Sequence, residues 1–286
     1  MARAARKEAA IKAAQSGEQM THRQIILVLI GLMSGMFLSA LDQSVVGSAM
    51  RTIADDLKGL ELQAWVTTAY LITSTIATPI YGKLGDIFGR RPVFLTAIAI
   101  FIIGSVTTGF ANTMYELAAY RALQGVGAGG LFSLALTIVA DIVPPRERAR
   151  YQGMFLAVFG TSSVLGPLIG GLFAGTESIF GITGWRWIFY INLPFGIAAL
   201  AITSAVLHIP KIKREHKIDY LGAFLMISAV SAILVAISVY GPENGWTDSK
   251  TLSAVGLGLT LTLLFLWQET LAKEPILPLR LFKNQT

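Results

Sequence analysis

Two charged residues inside apolar stretches point most directly to chemistry in this sequence. Asp42 lies in the apolar run of residues 25–48, and Arg121 lies in the run of residues 115–140. A charged side chain at mid-membrane depth costs roughly 2.5–3.5 kcal/mol on insertion scales, so such residues usually serve a function. The two residues lie at similar depth and can form an ion pair if their helices adjoin. The alternative is that one or both reach the membrane interface and do nothing further.

Such a pair is suited to proton-linked movement. A dry environment favours the neutral form of a carboxyl group, whereas a neighbouring guanidinium favours the ionised form. A substrate or a conformational change that separates Asp42 from Arg121 would therefore change the proton affinity of the carboxyl group. This is the physical basis of proton-coupled exchange, and we treat it as a hypothesis for this pair.

The elements that position these residues are membrane-spanning helices. The chain has 286 residues, of which 53% are hydrophobic and only 14% are charged, and its mean hydropathy is +0.61. Soluble domains carry roughly 25% charged residues, and disordered chains are less hydrophobic. Eight apolar runs are long enough to cross a bilayer as helices: residues 25–48, 64–82, 92–110, 115–140, 151–175, 187–208, 220–240 and 252–267. The fold class is therefore an all-α polytopic membrane protein.

The distribution of basic residues predicts the orientation of these spans. Of the 23 Lys and Arg residues, 18 lie in the two tails and in the loops after spans two, four and six. Four lie in the loops after the odd-numbered spans, and Arg121 lies inside a span. The positive-inside rule then places both termini in the cytoplasm, in a multi-pass protein of the cytoplasmic membrane. The excess of basic residues is thus explained without a nucleic-acid partner.

Four stretches resemble one transporter family. The short loop of residues 82–92 reads GKLGDIFGRRP and contains Gly82, Gly85, Asp86, Gly89, Arg90 and Arg91. Span four carries Arg121 with Gln124, Gly125 and Gly127, and span one carries LDQSVVGSAMRTI around Asp42. Span five carries GTSSVLGPLIGG, whose motif residues are Gly160, Gly166, Pro167, Gly170 and Gly171. Together they resemble the signatures of the major facilitator superfamily. The span-five pattern resembles that of its antiporters, and the span-one pattern resembles that of its drug:proton antiporters with fourteen helices.

The resemblance implies a fold, roles and a domain plan. Two inverted three-helix units would form residues 24–208, the N-terminal half of a transporter. Residues 1–23 would form a basic cytoplasmic tail, residues 209–219 a basic linker, and residues 220–270 two extra transmembrane helices that pack peripherally. Residues 271–286 would form the cytoplasmic segment before a C-terminal half that is missing here. By the same resemblance, the 82–91 loop gates the inner side, Arg121 couples to proton movement, and Asp42 accepts a proton or cation.

Other patterns predict no cofactor, no metal site and no enzyme. Gly125, Gly127 and Gly130 match G-x-G-x-x-G, but no strand precedes them, so they fit helix packing better than a nucleotide. The three histidines lack ligand spacing, and the chain has no cysteine. The cluster around Asp141 is interpreted as a solvated loop in which Asp141 meets Arg90.

The expected function is proton-coupled efflux of amphipathic or cationic small molecules across the bacterial cytoplasmic membrane. The expected partners are the substrate, protons, the lipid bilayer and the missing C-terminal half. Aromatic and polar residues are candidates for the wall of a substrate cavity, although they fit the core or the lipid face equally well: Phe37, Tyr70, Gln124, Phe132, Phe155 and Phe159. The alternative is a non-transporting membrane scaffold, a receptor or a truncated remnant of a transporter.

Overall fold

The computed structural model describes residues 22–144, 147–207, 219–272 and 275–277, and this part of the chain is almost entirely helical. The predicted tail 1–23 and linker 209–219, and the predicted terminal segment 271–286, lie largely outside these residues. The helices are α1 His22–Asp56, α2 Gln63–Phe88, α3 Arg90–Gly109, α4 Met114–Ile142, α5 Arg148–Ala174, α6 Trp187–Tyr190, α7 Asn192–Val206, α8 Tyr220–Val235, α9 Gly241–Asn244 and α10 Ser249–Leu271.

Within the part of the chain that the structure describes, seven helical segments are long and apolar enough to cross a membrane. The short helix α6 and α7 form one of them, Gly184–Val206, and α8 with its π-helical extension Ala236–Tyr240 and α9 forms another, Tyr220–Asn244. The predicted span 64–82 folds as helix α2 but is not among the seven, because hydroxyl and tyrosine side chains lower its hydropathy. Hydroxyls such as Thr73, Ser74 and Thr78 donate to carbonyls of their own helix and so remain paired in an apolar setting.

The first six spans form one bundle around two apolar clusters. Helix α1 packs against α5 and α7, while α4 packs against α2 and α3, and α3 also contacts α7. Large side chains that are fully excluded from the surface fill the centre, among them Phe94, Phe101 and Leu131. Each of these helices therefore packs along at least one other helix of the bundle.

Helices α8 and α10 pack against each other at the edge of this bundle. Helix α8 contacts α2, and the most apolar windows of α8 and α10 are only 22% and 17% buried, against 61% for α1. Their exposed surface is apolar, as expected of helices that face lipid. The prediction of peripheral packing is confirmed.

The segment of residues 82–92 is not the loop that we predicted. Helix α2 continues to Phe88 and α3 begins at Arg90, so Gly89 alone separates them. Gly89 has φ 94°, a conformation that residues with a Cβ rarely adopt, and this one position turns the chain. The acidic and basic side chains therefore stand on helix ends, where their positions are fixed more tightly than on a loop.

The opposite end of the bundle is closed by the segment before α6. A two-stranded hairpin, β1 Ser178–Ile179 and β2 Ile182–Thr183, leads into a 3-10 turn, Gly184–Arg186, and then into α6. We call this end the Trp185 end and the other the Gly89 end. The indole of Trp185 is buried and donates to Asp56 Oδ2 at the end of α1 over 2.7 Å. That bond anchors the sixth span to the first.

Two arginines tie α3 and the sixth span together in a reciprocal way. Arg91, at the start of α3, donates to the carbonyl of Ser204 near the end of α7 over 2.7 Å. Arg186, at the start of the sixth span, donates to the carbonyl of Gly109 at the end of α3 over 2.6 Å. The last carbonyls of a helix have no partner within the helix, so each arginine satisfies the other helix's terminus. The two spans therefore run antiparallel, side by side.

Candidate functional site: a buried ion pair between four helices

Asp42 and Arg121 are in direct contact in the middle of the bundle. Arg121 Nη1 lies 2.5 Å from Asp42 Oδ2, and the two residues are 2% and 1% exposed. Neither side chain reaches the membrane interface, so the structure is at odds with the alternative in which they snorkel. Removing one partner of a buried pair typically destabilises a protein by about 3–5 kcal/mol, because the other charge is left uncompensated.

Two neutral amides complete the shell around the carboxylate. Gln124, one turn along α4 from Arg121, donates from Nε2 to Asp42 Oδ1 over 2.9 Å and accepts from Arg121 Nη1 over 2.7 Å. Asn192, the first residue of α7, donates from Nδ2 to the same Oδ1 over 2.8 Å. That nitrogen also donates to Ser105 Oγ of α3 over 2.9 Å. The site thus joins α1, α3, α4 and α7.

Tyr70 brings helix α2 to the same site. Its ring lies beneath the guanidinium, with Arg121 Cζ 4.0 Å from the ring centroid, and its hydroxyl lies 3.0 Å from Ser39 Oγ on α1. An aromatic face attracts a desolvated cation by about 2 kcal/mol. The ring therefore adds a cation–π contact to the hydrogen bonds of Arg121.

Three side chains donate to the Asp42 carboxylate, namely Arg121 and Gln124 from α4 and Asn192 from α7. The titratable groups that face it are Arg121 from α4 and Tyr70 from α2. Among the described residues, the buried Arg121 Nε has no hydrogen-bond partner. The pair is therefore desolvated, and one donor of the guanidinium is left unsatisfied.

Comparisons with known proteins identify the family to which the chain belongs. The sequence profile of the Major Facilitator Superfamily matches residues 32–281. The chain belongs to the major facilitator superfamily. It is 42% identical over 260 residues to the multidrug transporter protein MdtP of Bacillus subtilis, covering 91% of this chain and 47% of that protein. It is 38% identical over 258 residues to multidrug resistance protein 3 of the same organism, covering 90% and 49%.

Solved structures of the superfamily share the fold at low sequence identity. A bacterial homologue of the human lysosomal transporter Spinster, in an inward-facing conformation, matches with a TM-score of 0.60 at 18% identity, over 84% of this chain and 60% of that one. The inward-open xylose transporter XylE from E. coli matches with a TM-score of 0.58 at 16% identity, over 83% and 56%. The chain spans about half the length of the curated relatives it matches. As a member of this family it is a multi-pass membrane protein and not an enzyme.

The glycines of the span-five motif divide into two groups. A Cβ on Gly166 or Gly170 would collide with Ser44 or Ser48 of α1, so these two positions allow α5 to approach α1 closely. Gly160 and Gly171 face open space, and Pro167 lies on the exposed face. The helix remains continuous through Pro167 from Arg148 to Ala174. This motif thus serves the α1–α5 contact with one face and leaves the other free.

The predicted gating residues meet at the Gly89 end. Arg90 Nη2 lies 2.7 Å from Asp86 Oδ1, and Arg90 Nε lies 3.0 Å from Asp141 Oδ2 at the end of α4. Arg90 Nη1 also donates to the carbonyl of Gly82 over 3.0 Å, and a Cβ on Gly85 would lie 2.8 Å from the same nitrogen. The predicted contact between Asp141 and Arg90 is confirmed. Arg91 takes no part in this cluster and binds α7 instead.

Four of the candidate cavity residues belong to or pack against one apolar cluster: Phe37, Tyr70, Phe132 and Phe155. Tyr70 and Gln124 belong to the polar site, and Phe155 lies in the core. Phe132 and Phe159 stack with ring centroids 5.3 Å apart, between α4 and α5. Phe37 is half-buried between the two core clusters. Within the described residues, no group of three or more His, Asp or Glu side chains could hold a metal ion.

Sequence reasoning missed Asn192, which donates to Asp42, and Ser105, which accepts from Asn192. Both residues carry no charge, so a search for intramembrane charges does not find them. The available signal was an amide inside the apolar run IFYINLPFG, two residues before Pro194. Glu269 was also missed. It is buried at the end of α10, where its carboxylate accepts from the backbone N–H groups of Ile276 and Leu277 over 3.2 and 2.8 Å.

Proposed function

We propose that this chain forms the N-terminal part of a proton-coupled antiporter that exports amphipathic or cationic small molecules. The buried contact between Asp42 and Arg121 is the observation that carries the proposal, since a desolvated ion pair between moving helices links protonation to conformation. The names of its relatives, which include multidrug transporters, support the substrate class. Because those relatives are about twice as long, we assign the second half of the transporter to further sequence.

In this mechanism, protonation of Asp42 is the coupling step. A proton on the carboxylate neutralises Asp42, which lies 2.5 Å from Arg121 and is its only acidic partner among the described residues. A buried guanidinium without a counter-ion is unfavourable by several kcal/mol, so the bundle then favours a state in which Arg121 has another partner or α1 and α4 have separated. Binding of a cationic substrate near Asp42 would have the opposite preference and expel the proton. Exchange of proton for substrate follows from this competition.

The Arg90 cluster, which consists of Arg90, Asp86, Asp141 and the carbonyl of Gly82, would act as the cytoplasmic gate. Its single arginine joins the ends of α2, α3 and α4, and its charges are partly exposed. Such rim pairs are individually weak, at about 0–1 kcal/mol, and therefore break readily when the helices move. The cluster is built to hold one conformation without locking it.

We further propose that residues 24–208 form two inverted three-helix units, followed by two extra helices. The pairing of α1 with α5 matches that of α4 with α2, and the pairing of α1 with the sixth span matches that of α4 with α3. The reciprocal contacts of Arg91 and Arg186 have the same two-fold character. These pairings are what an axis in the membrane plane would generate.

The cell location follows from charge. The 18 basic residues assigned to one side favour a cytoplasmic location for both termini of this chain in the bacterial cytoplasmic membrane. The Gly89 end would then face the cytoplasm and the Trp185 end the outside.

Export of a fluorescent cation tests the proposal. The open reading frame that contains residues 1–286 is expressed in a bacterium lacking its own efflux pumps, and ethidium accumulation is followed with and without a proton uncoupler. We expect low accumulation that the uncoupler abolishes. Asp42→Asn is expected to raise accumulation to the level of empty cells, because it removes the proton-binding group while keeping the shape of the side chain.

Asp55→Asn provides the matched control on the same helix. Asp55 pairs with Arg51 over 3.2 Å, but both side chains are more than half exposed to their surroundings. This variant is expected to export as well as the native protein. Equal export by the Asp42→Asn variant, at equal membrane abundance, would contradict the antiport mechanism and favour a scaffold or receptor.

A further inference from the structure

Asn192 stands where the sixth span is interrupted. Helix α6 ends at Tyr190 and α7 begins at Asn192, with Ile191 between them. Pro194 has no N–H, so it cannot donate to the carbonyl of Tyr190, and the helical hydrogen-bond ladder is broken here. Two residues before Ile191, the carbonyl of Phe189 accepts from Ser105 Oγ of α3 over 2.9 Å. The Asn192 side chain therefore lies where the sixth span lacks a backbone hydrogen bond.

The hydrogen bonds of Asn192 have a fixed direction. Ser105 has one hydroxyl hydrogen, which it donates to the carbonyl of Phe189, so its oxygen must accept from Asn192. The nitrogen of the Asn192 amide consequently faces both Ser105 and Asp42 Oδ1. All three residues are at most 1% exposed, so no solvent is at hand to replace a lost bond. Hydrogen bonds therefore connect Asp42, through Asn192 and Ser105, to the carbonyl of Phe189 beside the helix break.

We propose that Asn192 is the positioning residue that responds to the protonation of Asp42 and transmits it to the break in the sixth span. A proton on Oδ1 turns that oxygen into a donor that needs an acceptor, which the nitrogen of the Asn192 amide cannot provide. Rotation of the amide presents its oxygen, which accepts from Asp42 and from Ser105. The Ser105 hydroxyl then leaves the carbonyl of Phe189, and the break loses its support from α3. The proton stays on Asp42 throughout.

Gln124 cannot do this, although it donates to the same oxygen. Its amide oxygen accepts from Arg121 over 2.7 Å, and both residues are on α4, so a change there stays within one helix. Asn192 is the contact that carries the change to α3 and α7. Arg121 from α4 and Tyr70 from α2 are the titratable groups facing Asp42, and α3 and α7 contribute the neutral Ser105 and Asn192. The inference rests on the proposed proton-coupled function.

The test is the pH profile of proton release when the purified full-length transporter binds ethidium. Asn192→Ala removes one donor from the ionised carboxylate, so we expect the midpoint of the profile to rise by about one pH unit, a tenfold change in proton affinity. Ser105→Ala removes the group that fixes the amide direction, and we expect a smaller rise. Thr203→Val is the matched control, since Thr203 is buried in α7 and donates to Gly31 of α1 over 3.1 Å, away from Asp42.

The two proposals fail in different ways. No proton release by the native protein would remove the proposed function itself. Normal release with coincident profiles for the native, Asn192→Ala and Thr203→Val proteins would overturn the role of Asn192 alone. If Asn192→Ala does not fold, Ser105→Ala decides, and a profile identical to the native one overturns the inference.

Discussion

The Asp42 cluster and the Arg90 cluster use the same chemical groups in opposite surroundings. In the first, one acid and one base lie in the core and are held by neutral amides and an aromatic ring. In the second, one base serves two acids and a helix carbonyl at the rim of the bundle, and its acids are about 40% exposed. An Asp–Arg pair is therefore costly to disrupt when it is buried and weak when it is partly exposed at the rim.

The largest effect is expected when one charge is removed from the buried Asp42 cluster. Arg121→Met leaves Asp42 buried without a counter-ion, and we expect a loss of about 3–5 kcal/mol in unfolding free energy. The double variant Asp42→Leu with Arg121→Met removes both charges and is expected to regain most of this stability. Denaturant unfolding in detergent measures both, and ethidium export is expected to be absent in both. A double variant no more stable than the single one would show that the pair is needed for folding.

A second prediction concerns the packing that places Asp42. A Cβ on Gly166 would collide with Ser44, two residues from Asp42, whereas Gly160 on the same helix faces open space. Gly166→Ala is expected to cost about 1–3 kcal/mol through overpacking, and Gly160→Ala is expected to stabilise the helix by about 0.5–1 kcal/mol. Thermal unfolding of the two variants side by side checks the opposite signs. Equal effects would mean that α5 does not fix the position of α1.

The rim cluster is expected to respond more weakly. Arg90→Ala removes contacts with Asp86, Asp141 and the carbonyl of Gly82, and we expect a loss of about 1–2 kcal/mol that shrinks at high salt. Unfolding measured at about 0.05 and 0.5 M salt tests the screening. A loss as large as that of Arg121→Met, independent of salt, would contradict the distinction between the two clusters.

The smallest effect is expected for a fully surface pair. Arg51 and Asp55 pair within α1 with side-chain exposures of 75% and 52%. Arg51→Ala is expected to change the unfolding free energy by less than about 0.5 kcal/mol and to leave export unchanged. This variant sets the baseline for the other three. A loss above 1 kcal/mol would mean that burial does not rank the pairs.

The charged residues of the site could be predicted from the sequence, whereas the neutral residues Ser105 and Asn192 could not. Asp42 and Arg121 stand out in apolar runs, and their positions along spans one and four already place them at similar depth. Which helices adjoin is decided by packing, so the contribution of Ser105 and Asn192 became visible only with the fold. These two residues look like ordinary polar residues in a membrane helix until their partners are known.

Helix ends were the least accessible part of the fold. The glycines and charges of residues 82–92 predicted a loop, whereas only Gly89 departs from helix. The reciprocal bonding of Arg91 and Arg186 could not be predicted from the sequence either, because no spacing rule pairs these residues with the helix ends that they bind.

The most direct test of the account separates substrate exchange from proton coupling. Full-length protein and its Asp42→Asn variant are reconstituted in liposomes, and ethidium movement is measured once under an imposed pH gradient and once as exchange between equal pH. The account predicts that the native protein moves ethidium in both conditions and that the variant retains exchange but does not respond to the gradient. A variant that still accumulates ethidium against its concentration under the pH gradient would contradict the assignment of Asp42 as the proton-coupling group.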